Sequence, residues 1–288
     1  MELPSAPAQR PVRLRGDYSS ARADYSVDQD YAQYNAAEHG VWRQLLQRQQ
    51  ALLPRYAAPE FIAGVQLLQL GDAVPRFEQA SQTLRRLTRW ELVGVPGLIP
   101  EREFFEHLAH RRFPVTLWIR QPEEIDYLPE PDLFHDFFGH VPLLTDPAYA
   151  EFIELYGHAG QRAMQLGGLK MLARLYWYGI EFGLIDSAAG LRTYGAGILS
   201  SFSEIRYAID SPVPHRIRFD LQRVLRSDYL IDSFQRNYFV VRSFRELVDA
   251  AVNTDFAPLY AKFGEQPGYP AGTLLPGDNP LHRGSAKP

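Results

Sequence analysis

Cysteine is absent from the 288 residues. That excludes disulfides, zinc–thiolate sites, Cys-ligated iron–sulfur clusters and cysteine nucleophiles. Long apolar runs are missing too. No stretch of about 18 apolar residues occurs, so no membrane span is expected. A strong charge of either sign is also lacking. The formal charge of −4 makes no electrostatic case for nucleic acid or an acidic membrane as partner. The opening MELPSAPAQRPVRLRG has no apolar h-region and does not read as a signal peptide. A cytoplasmic protein is the expectation.

What is present is a core. Hydrophobic residues make up 45% and charged residues 22%, the balance of a packed globular chain. Aromatics reach 13%, with 17 Phe and 16 Tyr, which suits a pocket for flat rings. The densest chemistry lies in Pro131-Asp-Leu-Phe-His-Asp-Phe-Phe-Gly-His140, with two imidazoles, two carboxylates and three phenylalanines. Imidazole is the commonest protein metal ligand, and carboxylate is the usual hard partner. His135 and His140 are five apart, about 140° around an ideal α-helix. One ion held by both requires the helix to bend or end between them, for which Gly139 and Pro142 are the candidates. A pair of hydrogen-bonded core histidines is the plainer reading until a third ligand is found. Glu181 is that candidate: it is the only charge between Arg174 and Asp186. Helical spacing sets Trp177 and Leu184 or Ile185 on its face. A buried carboxylate is costly unless it is paired or binds a metal. Two His and one carboxylate form the facial triad of mononuclear non-heme iron(II) enzymes.

The fold expected is mainly α, one catalytic domain over 21–263 with a small β element. Residues 1–20 read as a mobile tail and 264–288 as a second. Asn35…Glu38 resembles a capping box before an amphipathic helix, and Pro59 and Pro75 precede two more helices. Leu92–Pro100 reads as a Gly/Pro-punctuated loop whose backbone is free for a ligand or simply turns. A helix with Phe104 follows, then Pro114–Arg120 alternates like a half-buried strand. Arg120 is either solvated or a carboxylate clamp. Asp146-Pro147 caps a long helix, and Gly167-Gly168 separates it from the one carrying Glu181. Tyr194–Ser201 reads as a Gly-rich loop or short strand without the ending of a phosphate loop. Short helices follow at 202–209 and 220–226, then a strand at 238–241. Ser243…Glu246 reads as a capping box for the last helix.

PDLFHDFFGHVPLL, YWYGIEFGL and YGAGILSSFSE resemble, in order and spacing, motifs of the pterin-dependent aromatic amino acid hydroxylases. The resemblance runs from about Tyr25 to Phe263 and implies their catalytic domain, in a single-domain bacterial form specific for phenylalanine. It implies iron(II) on His135, His140 and Glu181, with Asp132 and Ser200 orienting His135. It implies Arg120 as clamp for the amino acid carboxylate, with Pro131, Trp177, Phe182 and Ser200 also at the substrate. Gly97, Leu98, Phe104 and Asp136 match the pterin positions. Apolar Ile231 stands where tyrosine hydroxylases carry an acid, and Leu128 replaces a Thr that touches the amino acid in animal enzymes. The implied partners are phenylalanine, O2 and a tetrahydropterin, with pterin-recycling enzymes acting on the product. No regulatory domain or tetramer helix is recognisable, so a monomer is expected. A zinc hydrolase, a metal-structured module binding an aromatic ligand, and the same chemistry on tryptophan or tyrosine are the alternatives.

Overall fold

The computed structural model describes residues 15–285. Residues 1–14, most of the expected N-terminal tail, lie outside the described residues. The helical scaffold begins with α1 (Ala36–Gln50), α2 (Leu53–Tyr56), α3 (Pro59–Leu67) and α4 (Phe77–Leu87). Asn35 and Glu38 close the expected capping box on α1, and Pro59 occupies the first turn of α3. Next come β1 (Glu91–Val95), α5 (Glu101–Ala109) and β2 (Arg112–Thr116). β1 and β2 pair in parallel, Glu91 opposite Arg112 through Val95 opposite Thr116. The loop expected from Leu92 is therefore strand as far as Val95. The expected strand at 114–120 begins two residues earlier and stops at Thr116, because β1 offers pairing only that far.

After α6 (Pro147–Leu166) and α7 (Leu169–Tyr176) come β3 (Leu184–Ser187), β4 (Gly190–Thr193), α8 (Ala196–Leu199), α9 (Glu204–Asp210) and β5 (His215–Arg218). α10 (Leu221–Leu225), β6 (Asn237–Val241), α11 (Phe244–Val252), α12 (Phe256–Phe263) and β7 (Pro280–His282) complete the chain. The larger sheet has the order β4-β3-β6-β5-β7. Its two central pairings are parallel and its two outer ones antiparallel. The chain is helix-rich as expected, but its β part is larger than the sequence suggested. Strands of three or four residues leave too little alternation to detect. Asp146 caps α6 through Ala148 and Tyr149, and Gly167 ends it in the left-handed region at φ 69°. The capping box expected at Ser243 is not formed. The Glu246 carboxylate instead accepts from Arg242 N–H at 2.7 Å, one residue upstream.

Both ends of the described residues are tied down. Arg15 makes a two-point ion pair with Glu124, and the Tyr18 hydroxyl donates to Leu98 O at 2.8 Å. At the other end Tyr269 bridges to Ser227, and the buried Arg223–Asp278 pair closes at 2.8 Å. β7 then covers the open edge of β5. The polar residues beyond Gly264 supply partners that β5 and Arg223 would otherwise lack.

The core explains what the first helices are for. Phe134, Phe137 and Phe138 are fully buried, and each meets a ring from that scaffold. Phe134 stands edge-on to Trp42 of α1 at 5.4 Å, Phe138 edge-on to Phe61 of α3 at 5.5 Å, and Phe137 stacks on Phe77 of α4 at 6.0 Å. Each buried ring contributes about 1.5–3 kcal/mol, so the segment between the two histidines is anchored on its far side.

One buried carboxyl lies away from these rings. Glu204 of α9 accepts from the Tyr238 hydroxyl at 2.7 Å, and burial pushes it from the ordinary 4.5 up to about 7. A raised carboxyl binds its proton more tightly in the folded chain. Its stabilisation is complete below about pH 4.5 and is lost as pH rises through 7. Glu204→Gln therefore raises the melting temperature more at pH 8 than at pH 5, by an amount corresponding to a few kcal/mol at most. Thermal melts of both proteins at the two pH values check this, and equal shifts would refute it.

Candidate active site

The site grows from the end of β2. Thr116 N–H donates to Asp136 Oδ2 at 2.8 Å, which fixes the start of the histidine segment against the strand. Beyond β2 the chain runs to Arg120, whose Nε and Nη2 donate to the two oxygens of Asp132, each at 2.9 Å. The Arg120 main-chain N–H adds a third bond to Asp132 at 3.0 Å. Asp132 Oδ1 also accepts His135 N–H at 3.0 Å. Asp132 therefore orients His135 through the main chain, not the ring, and its main partner is Arg120. The guanidinium edge that would grip a substrate carboxylate through Nε and Nη2 is already occupied. Nη1, which keeps only a 3.5 Å contact to Ile125 O, and the second N–H of Nη2 are the donors left for a ligand.

His135–His140 is a π-helical turn, and so is Trp177–Glu181. Bonding from i to i+5 places residues five apart one above the other. This is how His135 and His140 come to face one ion, where an α-helix would spread them. Gly139 does not end the helix as expected. Its role is close approach: a Cβ there would lie 2.9 Å from Ala196 O. Gly197 is similarly pressed on the second turn, where a Cβ would lie 3.2 Å from Glu181 Oε2. The expected loop at 194–201 is thus α8 wedged between both turns. Leu184 and Ile185, expected on the helical face of Glu181, lie in β3 beyond the turn.

His140 Nε2 is 3.1 Å from Glu181 Oε1, and His135 Nε2 is 3.6 Å from Oε2. One ligand atom from each of the three residues lies within 4.8 Å of the other two. The Ser200 hydroxyl donates to Ala196 O at 2.8 Å, so it accepts from His135 Nδ1 at 2.9 Å. The His135 proton is then on Nδ1, and Nε2 presents its lone pair to the centre. Burial pushes the Glu181 carboxyl up, but the facing imidazoles, His140 foremost, outweigh it and hold it at about 2. A deprotonated carboxylate and an aimed imidazole nitrogen are what a divalent cation requires. The donor set is that of an iron(II) facial triad.

The three ligands line a cavity of about 590 Å³. Trp177 and Phe182, ring centroids 5.0 Å apart, form one wall, and Tyr229 backs it by stacking on Trp177 at 4.2 Å. Pro131, Ser200, Gly97, Leu98, Phe104, Asp136, Leu128 and Ile231 also face the cavity, and Asp132 lies behind it. Leu98 and Ile231 stand at the mouth, Ile231 79% exposed. Asp136 is pushed up by burial against the nearby imidazoles, and one of its oxygens is committed to Thr116. Sequence reasoning missed Tyr229, whose stacking has no local signal, and Gly197, whose three-residue offset from Ser200 is its only mark.

The model of the biopterin-dependent aromatic amino acid hydroxylases matches residues 13–257. The chain belongs to that family. It is 51% identical over 270 residues to the phenylalanine-4-hydroxylase of Ralstonia nicotianae, covering 93% of this chain and 86% of that one. It is 51% identical to the Chromobacterium violaceum enzyme over 262 residues, covering 91% and 88%. The crystal structure of the latter with iron and phenylalanine bound superposes with a TM-score of 0.87 at 50% identity, covering 91% of this chain and 96% of that one. The cobalt-bound form gives 0.89 at 51% identity, covering 91% and 95%. Family membership removes the zinc-hydrolase alternative. Among the described residues no helix is long and apolar enough to cross a membrane.

Ser200→Ala removes the acceptor that fixes the His135 tautomer. Iron(II) affinity then falls about 10- to 100-fold, measured by anaerobic titration, while the melting temperature of the metal-free protein changes little. Unchanged affinity would remove Ser200 from the metal's support.

Proposed function

We propose that this chain converts L-phenylalanine to L-tyrosine with O2 and a tetrahydropterin, at a single iron(II) held by His135, His140 and Glu181. The observation that carries the proposal is the aimed His–His–carboxylate set opening into a ring-lined cavity. The phenylalanine-4-hydroxylase names of relatives at about half identity support the substrate. Iron(II) supplies oxygen activation there, and the pterin supplies two electrons.

The chain's own residues do the positioning. Arg120, fixed by Asp132, offers Nη1 to the amino acid carboxylate. Pro131, Trp177 and Phe182 hold the ring flat toward the triad. The pterin lies between Phe104 and the main chain at Gly97 and Leu98, with the uncommitted oxygen of Asp136 toward it. Apolar Ile231 at the mouth favours phenylalanine over a hydroxylated ring, which an acid there would greet. Expulsion of water strengthens every polar contact in such a cavity.

The cavity is complete within one chain, which supports a monomer as the working unit. A composition without cysteine fits a cytoplasmic setting. Each turnover leaves the pterin two electrons poorer, so a separate reductive activity must regenerate it.

Anaerobic loading with iron(II), followed by phenylalanine, tetrahydropterin and air, yields tyrosine identified by mass. Its absence would defeat the proposal. Glu181→Gln loses iron stoichiometry and activity together, and full activity with one bound iron would take Glu181 out of the ligand set. Arg120→Lys keeps the charge but loses the planar fork. It raises the phenylalanine KM at least about tenfold and leaves the tetrahydropterin KM within about twofold. An unchanged phenylalanine KM would defeat the clamp.

A further inference from the structure

The segment 228–235 carries the cavity's most exposed apolar residue, Ile231, yet both of its ends are bonded, the first half-buried and the second buried. Its N-terminal end is tied to the helix that leads into Glu181. Asp228 pairs with Arg174 of α7 at 2.5 Å, and the Tyr178 hydroxyl donates to Asp228 O at 2.8 Å. Tyr229 lies flat on Trp177, with ring planes 14° apart. Its C-terminal end is held by Gln235, only 1% exposed. Gln235 Oε1 accepts Leu230 N–H at 3.1 Å, and its Nε2 donates to Leu230 O at 2.6 Å. One side-chain amide thus closes both main-chain groups of the residue before Ile231, as a paired strand would. Gln235 N–H in turn donates to Glu204 Oε1 at 3.3 Å, the oxygen that also accepts from the Tyr238 hydroxyl.

We infer that Gln235, backed by Glu204, is a specificity-determining positioning residue: its clamp on Leu230 sets how far Ile231 and the Tyr229–Trp177 wall stand from the substrate ring. The inference rests on the proposed reaction and names a part of its selectivity. Nothing in the segment itself would hold Ile231 in place, because its side chain is almost wholly in solvent. A side chain so exposed contributes little burial energy, so the position of the tip comes from its ends. The first end is fixed by an ion pair and a ring stack. At the second, Phe234 packs on Tyr207 at 4.8 Å and Gln235 N–H bonds Glu204, but the only side-chain bonds to Leu230 are those of the Gln235 amide. Loosening that amide lets the tip move outward, which enlarges the mouth on the ring side and leaves the iron ligands and the Gly97–Leu98 loop untouched.

Steady-state kinetics of the iron-loaded full chain with L-phenylalanine and L-tryptophan test this. In Gln235→Met, close in volume but without the amide, the kcat/KM preference for phenylalanine over tryptophan falls at least about fivefold, with the tetrahydropterin KM within about twofold of wild type. Gln235→Glu keeps an acceptor for Leu230 N–H but loses the donor, and serves if the first variant does not fold; its preference also falls. Glu204→Gln keeps an oxygen for Gln235 N–H and the Tyr238 hydroxyl, and retains the wild-type preference. A merely structural Gln235 would lower the melting temperature without moving the ratio. An unchanged ratio in a folded Gln235 variant overturns the inference, as does an equal rise in the tetrahydropterin KM. A wild-type protein without tetrahydropterin-dependent phenylalanine hydroxylation overturns the proposed function instead.

Discussion

Two widened turns of helix hold the site together. A metal centre on His135 and His140 cannot be built on an α-helix, because residues five apart diverge by about 140°. The i to i+5 bonding of the His135–His140 turn cancels that divergence, and the same device at Trp177–Glu181 turns the carboxylate inward. Such turns are poorer in hydrogen-bond geometry than the helix they interrupt, so something else must hold them. On one side it is the burial of Phe134, Phe137 and Phe138 against Trp42, Phe61 and Phe77. On the other it is α8, admitted to within contact by Gly139 and Gly197. Neither support supplies a ligand atom, and together they brace the turns on which three ligand atoms lie within 4.8 Å of one another.

Asp132 joins the two halves of the chemistry. Its Oδ1 serves Arg120 Nη2 and His135 N–H together, while Oδ2 takes Arg120 Nε and N–H. A fully buried carboxylate with four donors is satisfied without help from solvent. Arg120 and the first turn of the metal segment therefore share one anchor. The price of this economy is that Arg120 has less of its fork to offer than an unpaired arginine would.

The metal ligands were legible because their chemistry is rare: one unpaired carboxylate in an apolar helix, and two histidines among phenylalanines. The helices were legible from caps at Asn35, Pro59 and Asp146, whose signals are local. The π turns were not, since nothing in HDFFGH distinguishes them from a helix end, and Gly139 was read as a stop when it is a contact. β5 and β7 were hidden because a short strand is defined by its neighbour, as Pro280–His282 is by β5. The partner of Arg120 was hidden for a related reason. Sequence presents a guanidinium, and only the fold reveals that Asp132, twelve residues on, has taken its best edge.

The cavity's asymmetry follows from these constraints. On the triad side three polar groups are each aimed by a second one: His135 by Ser200, Asp136 by Thr116, Arg120 by Asp132. On the opposite side the contacts are rings and main chain, with Trp177, Phe182 and Phe104 offering faces and Gly97 offering backbone. Faces and backbone tolerate sliding, whereas aimed hydrogen bonds do not. The arrangement therefore fixes the groups around the triad more tightly than the ring-lined side that faces them. There the fold spends a buried amide and a buried carboxyl on a segment whose tip is in solvent, which is understandable only if the placement of that tip matters to the chemistry beneath it.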